Sequence, residues 1–228
     1  MRKGESEGLG RKGRSLACRD AAGRVSAAEK TGQAPSLHEI MRVIAGQYRR
    51  RTLRSLPGVE IRPTADRLRE TLFNVLCAGN PAALAESTWL DLYAGTGAVG
   101  IEALSRGARM VYFVESFKAA AELIAGNLKS LGIASGFQIV KVEAGKALRQ
   151  LETAGSVADF VFLDPPYSMQ DEYAKTLAAL AESKLLREWS TVIAEHEKRF
   201  DPGEVFGELP RYRMLVQGDA ALSFYRRQ

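Results

Sequence analysis

From residue 87 onward short apolar runs alternate with amphipathic stretches. The pattern predicts strands over 88–93 (TWLDLY), 110–115 (MVYFVE), 137–142 (FQIVKV), 158–163 (ADFVFL) and 190–195 (STVIAE). Apolar residues at helical spacing fill the intervals near 98–106, 117–131, 144–153 and 171–187, and 212–217 with 221–226 read as a final strand pair. Strands that alternate with helices of this length predict a parallel sheet with helices on both faces. The expected fold class is α/β, a doubly wound, mostly parallel, seven-stranded Rossmann-like sheet. No internal repeat is visible.

The chain before residue 87 follows other rules. Pro63 and Thr64 introduce a helix with Leu68, Leu72, Val75 and Leu76 on one face and Arg67, Glu70 and Asn74 on the other. Ahead of it, in "EIMRVIAGQYRRRTLRSLPGVEIRPTADR", short apolar pieces alternate with arginines, as in a small extended or hairpin unit facing a charged surface. Residues 1–38 are rich in Gly, Ser, Ala and Arg without a sustained apolar period, which predicts a disordered basic tail. The expected division is therefore a tail over 1–38, a hairpin and helix region over 39–86, and the α/β domain over 87–228.

Composition narrows the function classes. Of 228 residues, 46% are apolar, enough for one large core. The sequence holds no apolar run of the roughly 18 residues a membrane span needs, so no membrane partner is expected and the cytoplasm is the expected compartment. Cys18 and Cys77 lack CxxC spacing, and His38 and His196 are the only histidines, so neither a metal site nor a histidine-based triad is expected. Charge is informative by location. Residues 1–76 hold 16 Lys/Arg against 8 Asp/Glu, whereas the remainder is slightly acidic, 16 against 19. A one-sided basic region attracts polyanions, which makes nucleic acid a candidate partner.

Two motifs carry candidate chemistry. "DLYAGTGAVG" follows the first predicted strand and opens a helix, setting Gly95, Gly97 and Gly100 in a GxGxxG pattern that lets a cofactor approach backbone amides. Glu115 ends the second strand 20 residues after Gly95, where a carboxylate can accept hydrogen bonds from two ribose hydroxyls. The arrangement serves dinucleotides and S-adenosylmethionine alike. Asp91, four residues before Gly95, favours the second, because a carboxylate there can orient the loop and attract a cationic cofactor; it also suits a capping acid that fixes the turn. Glu143, after the third strand, either accepts from an adenine amino group or simply begins the next helix.

The other motif is "DFVFLDPPYSM", residues 159–169. Asp164 to Tyr167 falls at the carboxyl end of the fourth strand, the edge that also carries the glycine loop. An exocyclic base amine is a poor nucleophile because its lone pair is delocalised into the ring. Asp164 and the Pro165 carbonyl can accept from the NH2 and stabilise the positive charge that develops on methylation. Pro165 and Pro166 stiffen the turn, and Tyr167 can stack on the base.

"DLYAGTGAVGIEALSRGA", "VESFKAA", "DFVFLDPPY" and "MRVIAGQYRRRTLRSLPGVEIRPTADRLRETLFNVL" together resemble the RsmD-type 16S ribosomal RNA guanine-N2 methyltransferases of bacteria, over about residues 41–228. The resemblance implies a class I S-adenosylmethionine-dependent fold; a monomer is expected. The resemblance implies a cofactor held by Gly95, Thr96, Gly97, Glu115 and Glu143, to which Asp91, Tyr93 and Ala144 are added as expected contacts, and a guanine held by Asp164, Pro165, Pro166 and Tyr167. It also implies 16S rRNA as the partner, within an assembled small subunit, and places Arg62, Thr64, Arg67 and Glu70 near the active-site entrance. Charge adds Arg49, Arg50, Arg51 and Arg54 as phosphate contacts. Residues 1–40 lie outside the match, as an extra basic extension or as sequence ahead of a natural start at Met41. DNA adenine-N6 methylation, nicotinamide-dependent oxidoreduction and RNA binding without catalysis are the competing readings.

Overall fold

The computed structural model describes residues 41–55, 63–166 and 168–228; the predicted tail, Cys18, His38, Arg62 and Tyr167 lie outside the described residues, as do the side chains of 63–65. After α1 (Pro63–Leu76), strands and helices alternate as β1 (Thr88–Leu92), α2 (Ala98–Ser105), β2 (Met110–Val114), α3 (Lys118–Leu131), β3 (Phe137–Val140), α4 (Ala144–Thr153), β4 (Ala158–Leu163) and α5 (Asp171–Glu182). The chain closes with β5 (Leu186–Glu197), β6 (Val205–Phe206), β7 (Leu209–Gln217) and β8 (Ala220–Arg226). All the strands join one sheet in the order β3-β2-β1-β4-β5-β8-β7-β6. The pairs from β3 to β5 are parallel, and those from β5 to β6 antiparallel.

β1 is buried at every position, as a central strand covered on both faces requires. Alternate residues of the sheet feed two cores. One packs Trp89, Phe113, Phe162, Ile193 and Phe224 against α1, α2 and α3; the other packs Leu92, Val161, Leu163 and Val192 against α4 and α5. Strand order reverses between β1 and β4, and an open sheet has its ligand crevice at the carboxyl ends of the strands flanking such a switch point.

The observed sheet has eight strands, where seven were expected. The addition, β6, is a two-residue partner of β7 on a tight turn, too short to leave a periodic trace. The helix expected over 171–187 ends at Glu182. The Ser183 hydroxyl accepts the Leu185 N–H, Glu152 accepts the Lys184 N–H, and the Arg227 guanidinium donates to the carbonyls of Ala181, Ser183 and Leu186. These tertiary partners satisfy the backbone where the helix stops and release Leu186 into β5, which therefore starts before residue 190.

Residues 41–55 fold back on themselves through an isolated antiparallel bridge, Arg42 to Thr52. Buried polar side chains fasten this turn to the domain. Glu102, fully buried on α2, accepts the N–H groups of Ile44 and Ala45 at 2.7 and 2.9 Å and the Arg106 Nε–H at 2.8 Å. Asn127 on α3 accepts the Arg54 N–H at 2.8 Å and donates to the carbonyls of Arg54 and Thr96 at 3.1 and 3.0 Å, which ties the turn to the glycine loop. Glu102→Ala strands Arg106 and two amides in a buried setting, and an expected loss of about 3 kcal/mol is measurable as a lower urea midpoint.

Candidate active site

A cavity of about 820 Å³ opens at the carboxyl ends of β1, β2, β3 and β4. Its size lies within the range of roughly 300–1,000 Å³ of small-molecule sites. Tyr93, Gly95, Glu115, Glu143, Ala144, Asp164, Pro165 and Pro166 all line it, so the structure brings the glycine loop and the DPP turn to one space.

The loop's geometry follows from its residue types. A Cβ built on Gly95 meets only the Tyr93 carbonyl, at 3.9 Å, so this glycine faces open space. A Cβ on Gly100 would lie 2.3 Å from the Phe113 ring, which makes Gly100 the point where α2 packs closely on β2. Tyr93 adopts a left-handed conformation, φ 61°, costly for an aromatic residue. Its hydroxyl is held by Thr176 at 2.9 Å and Glu172 at 3.3 Å on α5, and burial pushes that hydroxyl's pKa up to about 12. Strain of this kind persists only where the surroundings over-determine it, and here it shapes the cavity wall.

Glu115 sits across from the loop. One carboxylate oxygen accepts the Gly95 N–H at 2.9 Å and the other the Phe117 N–H at 2.7 Å, leaving lone pairs for further donors. Glu143 occupies the N-cap position of α4, but its carboxylate makes no cap hydrogen bond; it is exposed on the cavity wall and free to accept from a ligand. Backbone amides, an open glycine and two carboxylates fit a nucleoside-bearing cofactor.

Asp91 lies elsewhere. It is 1% exposed and does not line the cavity; its Oδ2 accepts the Gly100 N–H at 2.9 Å from below the loop. Burial holds this carboxyl well above the usual carboxylate range, opposed by the Gly100 N–H. The β1 pleat turns the side chain under α2, a position that suits the turn-fixing alternative. Thr96 and Gly97 are likewise off the cavity lining: Thr96 reaches Met41 and Asn127, and Gly97 packs on Ile124.

Asp164 follows β4 directly. Burial pushes its carboxyl up to about 7, so near neutral pH it is poised between acid and carboxylate. Pro165 is buried and Pro166 exposed. Arg49, Arg50, Arg51 and Arg54 are exposed on the 41–55 turn and Arg67 and Glu70 are exposed on α1, apart from the cavity; Thr64 lies in the first turn of α1. Two site residues escaped the sequence reading. Phe117, 61% exposed on the cavity wall, had a usable signal as an apolar residue two positions after a strand-terminal acid. Glu195, beside Asp164 near the C-terminal end of β5, had none, since acids near strand ends are common.

Of the two histidines, His196 is buried and contacts the Glu197 carbonyl and the Ser223 hydroxyl, as a satisfied core residue does. Among the described residues no His, Cys, Asp and Glu cluster could hold a metal, and no helix is long and apolar enough to cross a membrane.

The family model described as "Conserved hypothetical protein 95" matches residues 41–226. Several relatives bear the name ribosomal RNA small subunit methyltransferase D. The Escherichia coli K12 protein is 31% identical over 82% of this chain and 90% of its own length, and the Haemophilus influenzae protein 35% over 73% and 83%. The chain belongs to the RsmD-type methyltransferase family. A solved Escherichia coli protein assigned as a methyltransferase, yhhF, superposes with a TM-score of 0.68 at 29% identity, over 83% of this chain and 98% of that one. The class I fold expected of an RsmD-type chain is thus the fold observed, with its antiparallel strands gathered at the C-terminal edge.

Proposed function

We propose that the chain transfers a methyl group from S-adenosylmethionine to the exocyclic N2 amine of a guanine in 16S ribosomal RNA, with the assembled small subunit as substrate. The observation that carries this reading is the placement of Asp164, Pro165 and Pro166 on the wall of the same cavity as Gly95 and Glu115. The relatives' printed name supplies the RNA class.

Within this reading, Glu115 accepts the ribose hydroxyls, the Gly95 region lies against the cofactor's chain, and Glu143 accepts from the adenine amine. The cofactor supplies an electrophilic methyl group. Asp164 and the Pro165 carbonyl accept the two amine hydrogens, which favours a pyramidal nitrogen and offsets its growing positive charge. Pro165 and Pro166 hold that geometry with no N–H to compete. Tyr167, next in the motif, supplies the stacking surface. Arg49, Arg50, Arg51, Arg54, Arg62, Thr64 and Arg67 form the RNA-contacting region.

Small subunits from cells lacking the gene, incubated with the protein and methyl-labelled cofactor, are expected to gain one N2-methylguanine, located by mass spectrometry of RNA fragments. Label on DNA adenine, or on no nucleic acid, would overturn the reading. Naked 16S RNA as a parallel substrate decides whether assembly is needed.

Two further results are expected. Only the ionised Asp164 accepts hydrogen bonds with both oxygens, and its pKa is about 7, so kcat/KM falls as pH drops below neutrality, approaching tenfold per unit. A pH–rate profile flat from about 5.5 to 8 contradicts this. Replacing Arg49 and Arg54 together by alanine reduces the log–log salt slope of RNA affinity by about 1.4, measured by filter binding at several ionic strengths.

A further inference from the structure

Leu163 of β4 pairs with Ala194 of β5 in parallel register, so the next residues, Asp164 just past β4 and Glu195 within β5, lie side by side on strands about 4.8 Å apart. Side chains alternate along β5: Ala194 enters the core under α4 and α5, while Ile193, and with it Glu195, faces the layer that contains α1. The Tyr173 hydroxyl on α5 donates to the Glu195 carbonyl at 2.6 Å, which fixes the backbone that carries this carboxyl.

From α1 comes Arg69, 5% exposed. Its Nη2 donates to the Arg42 carbonyl at 2.7 Å and to Asp66 at 2.9 Å, whereas its buried Nε has no partner among the described residues. Asp91 on β1 is also near Asp164, with Glu115, just after β2, near Asp91 in turn; Arg69 is faced by Asp66 and by Glu102 on α2, the last already paired with Arg106. Acids outnumber the guanidinium here, and two desolvated carboxyls this close do not both ionise.

We propose that Asp164 and Glu195 form a carboxyl pair sharing one proton beside the Arg69 guanidinium, and that this pair receives the proton the amine gives up on methylation. The inference rests on the amine-methylation reading of the site. Burial and the charge of Asp164 push the Glu195 carboxyl well up, and Arg69 opposes them. As the amine nitrogen bonds to the methyl carbon, the methyl–sulfur bond of the donor breaks with its electron pair going to sulfur, and the nitrogen takes on positive charge. Its N–H bond then breaks, the electron pair stays on nitrogen and the proton passes to Asp164. The pair goes from one proton to two, loses its net negative charge, and returns to its starting state by giving a proton to water. Glu195 acts through Asp164 and is a positioning residue.

The test is the pH dependence of single-turnover methylation by wild type, Glu195→Gln and Glu195→Leu. Glutamine still offers Asp164 a hydrogen-bond donor, so its acid limb is expected to coincide with wild type. Leucine offers none, the Asp164 carboxylate becomes harder to form, and the limb moves up by about one pH unit, a tenfold loss on that limb. A leucine profile superimposed on wild type, lower only in amplitude, overturns the proposal. Carbon-13 NMR of wild-type protein labelled in its Asp and Glu carboxyls, with Glu195→Gln for assignment, decides the same point without relying on the leucine variant folding. Both resonances are expected to titrate in the same two steps, and independent single-step curves overturn the pair. If subunits gain no N2-methylguanine the function reading fails, while the carbon-13 titration still decides whether the pair exists.

Discussion

Replacing Asp164 with alanine is expected to lower kcat for the proposed guanine methylation by about 10²- to 10³-fold and to leave cofactor affinity unchanged. The magnitude is that of removing one preorganised acceptor from a site where charge develops, and the separation of effects follows from position. Asp164 lies in the DPP turn, whereas the loop amides and Glu115, the proposed cofactor contacts, follow β1 and β2. Single-turnover rates with labelled cofactor, beside calorimetric titration of the same variant with S-adenosylmethionine, separate the two quantities. Turnover within a few fold of wild type would remove Asp164 from the chemistry. Asp164→Asn keeps one acceptor oxygen and is expected to fall between the two.

Glu115→Ala produces the opposite split. The carboxylate accepts the N–H groups of Gly95 and Phe117, and in the proposed complex the ribose hydroxyls as well. Its removal takes away charge-assisted bonds worth about 1.5–3 kcal/mol each and loosens the loop that faces the cofactor. The expected result is a cofactor Kd raised by about 100-fold, near 2.7 kcal/mol, with kcat largely recovered at saturating cofactor. Calorimetry and cofactor-dependent rates measure both. An unchanged Kd would mean that Glu115 serves the backbone alone.

These opposite splits trace to residues separated widely in sequence, and that separation marks what could be read in advance. The parallel strands were legible because each is a short apolar run bounded by turn residues, and that pattern survives without knowledge of neighbours. The motif glycines were legible as a group but not by role. Gly95 faces the cavity and Gly100 seats α2 against Phe113, a difference set by what lies across the gap. Asp91 shows the same limit, since its carboxylate serves either side of the loop on paper and the pleat of β1 turns it under α2.

The end of α5 is instructive for a different reason. Residues 171–187 keep a helical apolar period past Glu182, and local propensity continues the helix. What stops it is Arg227, brought by the last strand to the carbonyls of Ala181, Ser183 and Leu186. No window of sequence around residue 183 contains that arginine.

By itself the sequence determined the α/β class, the order of most elements, and the two motifs with the chemistry their residue types permit, because strand and helix periods and the steric needs of Gly and Pro are local properties of the chain. Tertiary structure alone decided that the glycine loop and the DPP turn face one cavity and that Glu102 and Asn127 clamp the arginine-bearing turn beside them. It also set Glu195 next to Asp164. Strand register and helix packing bring together residues tens of positions apart, and the burial that results shifts their proton affinities.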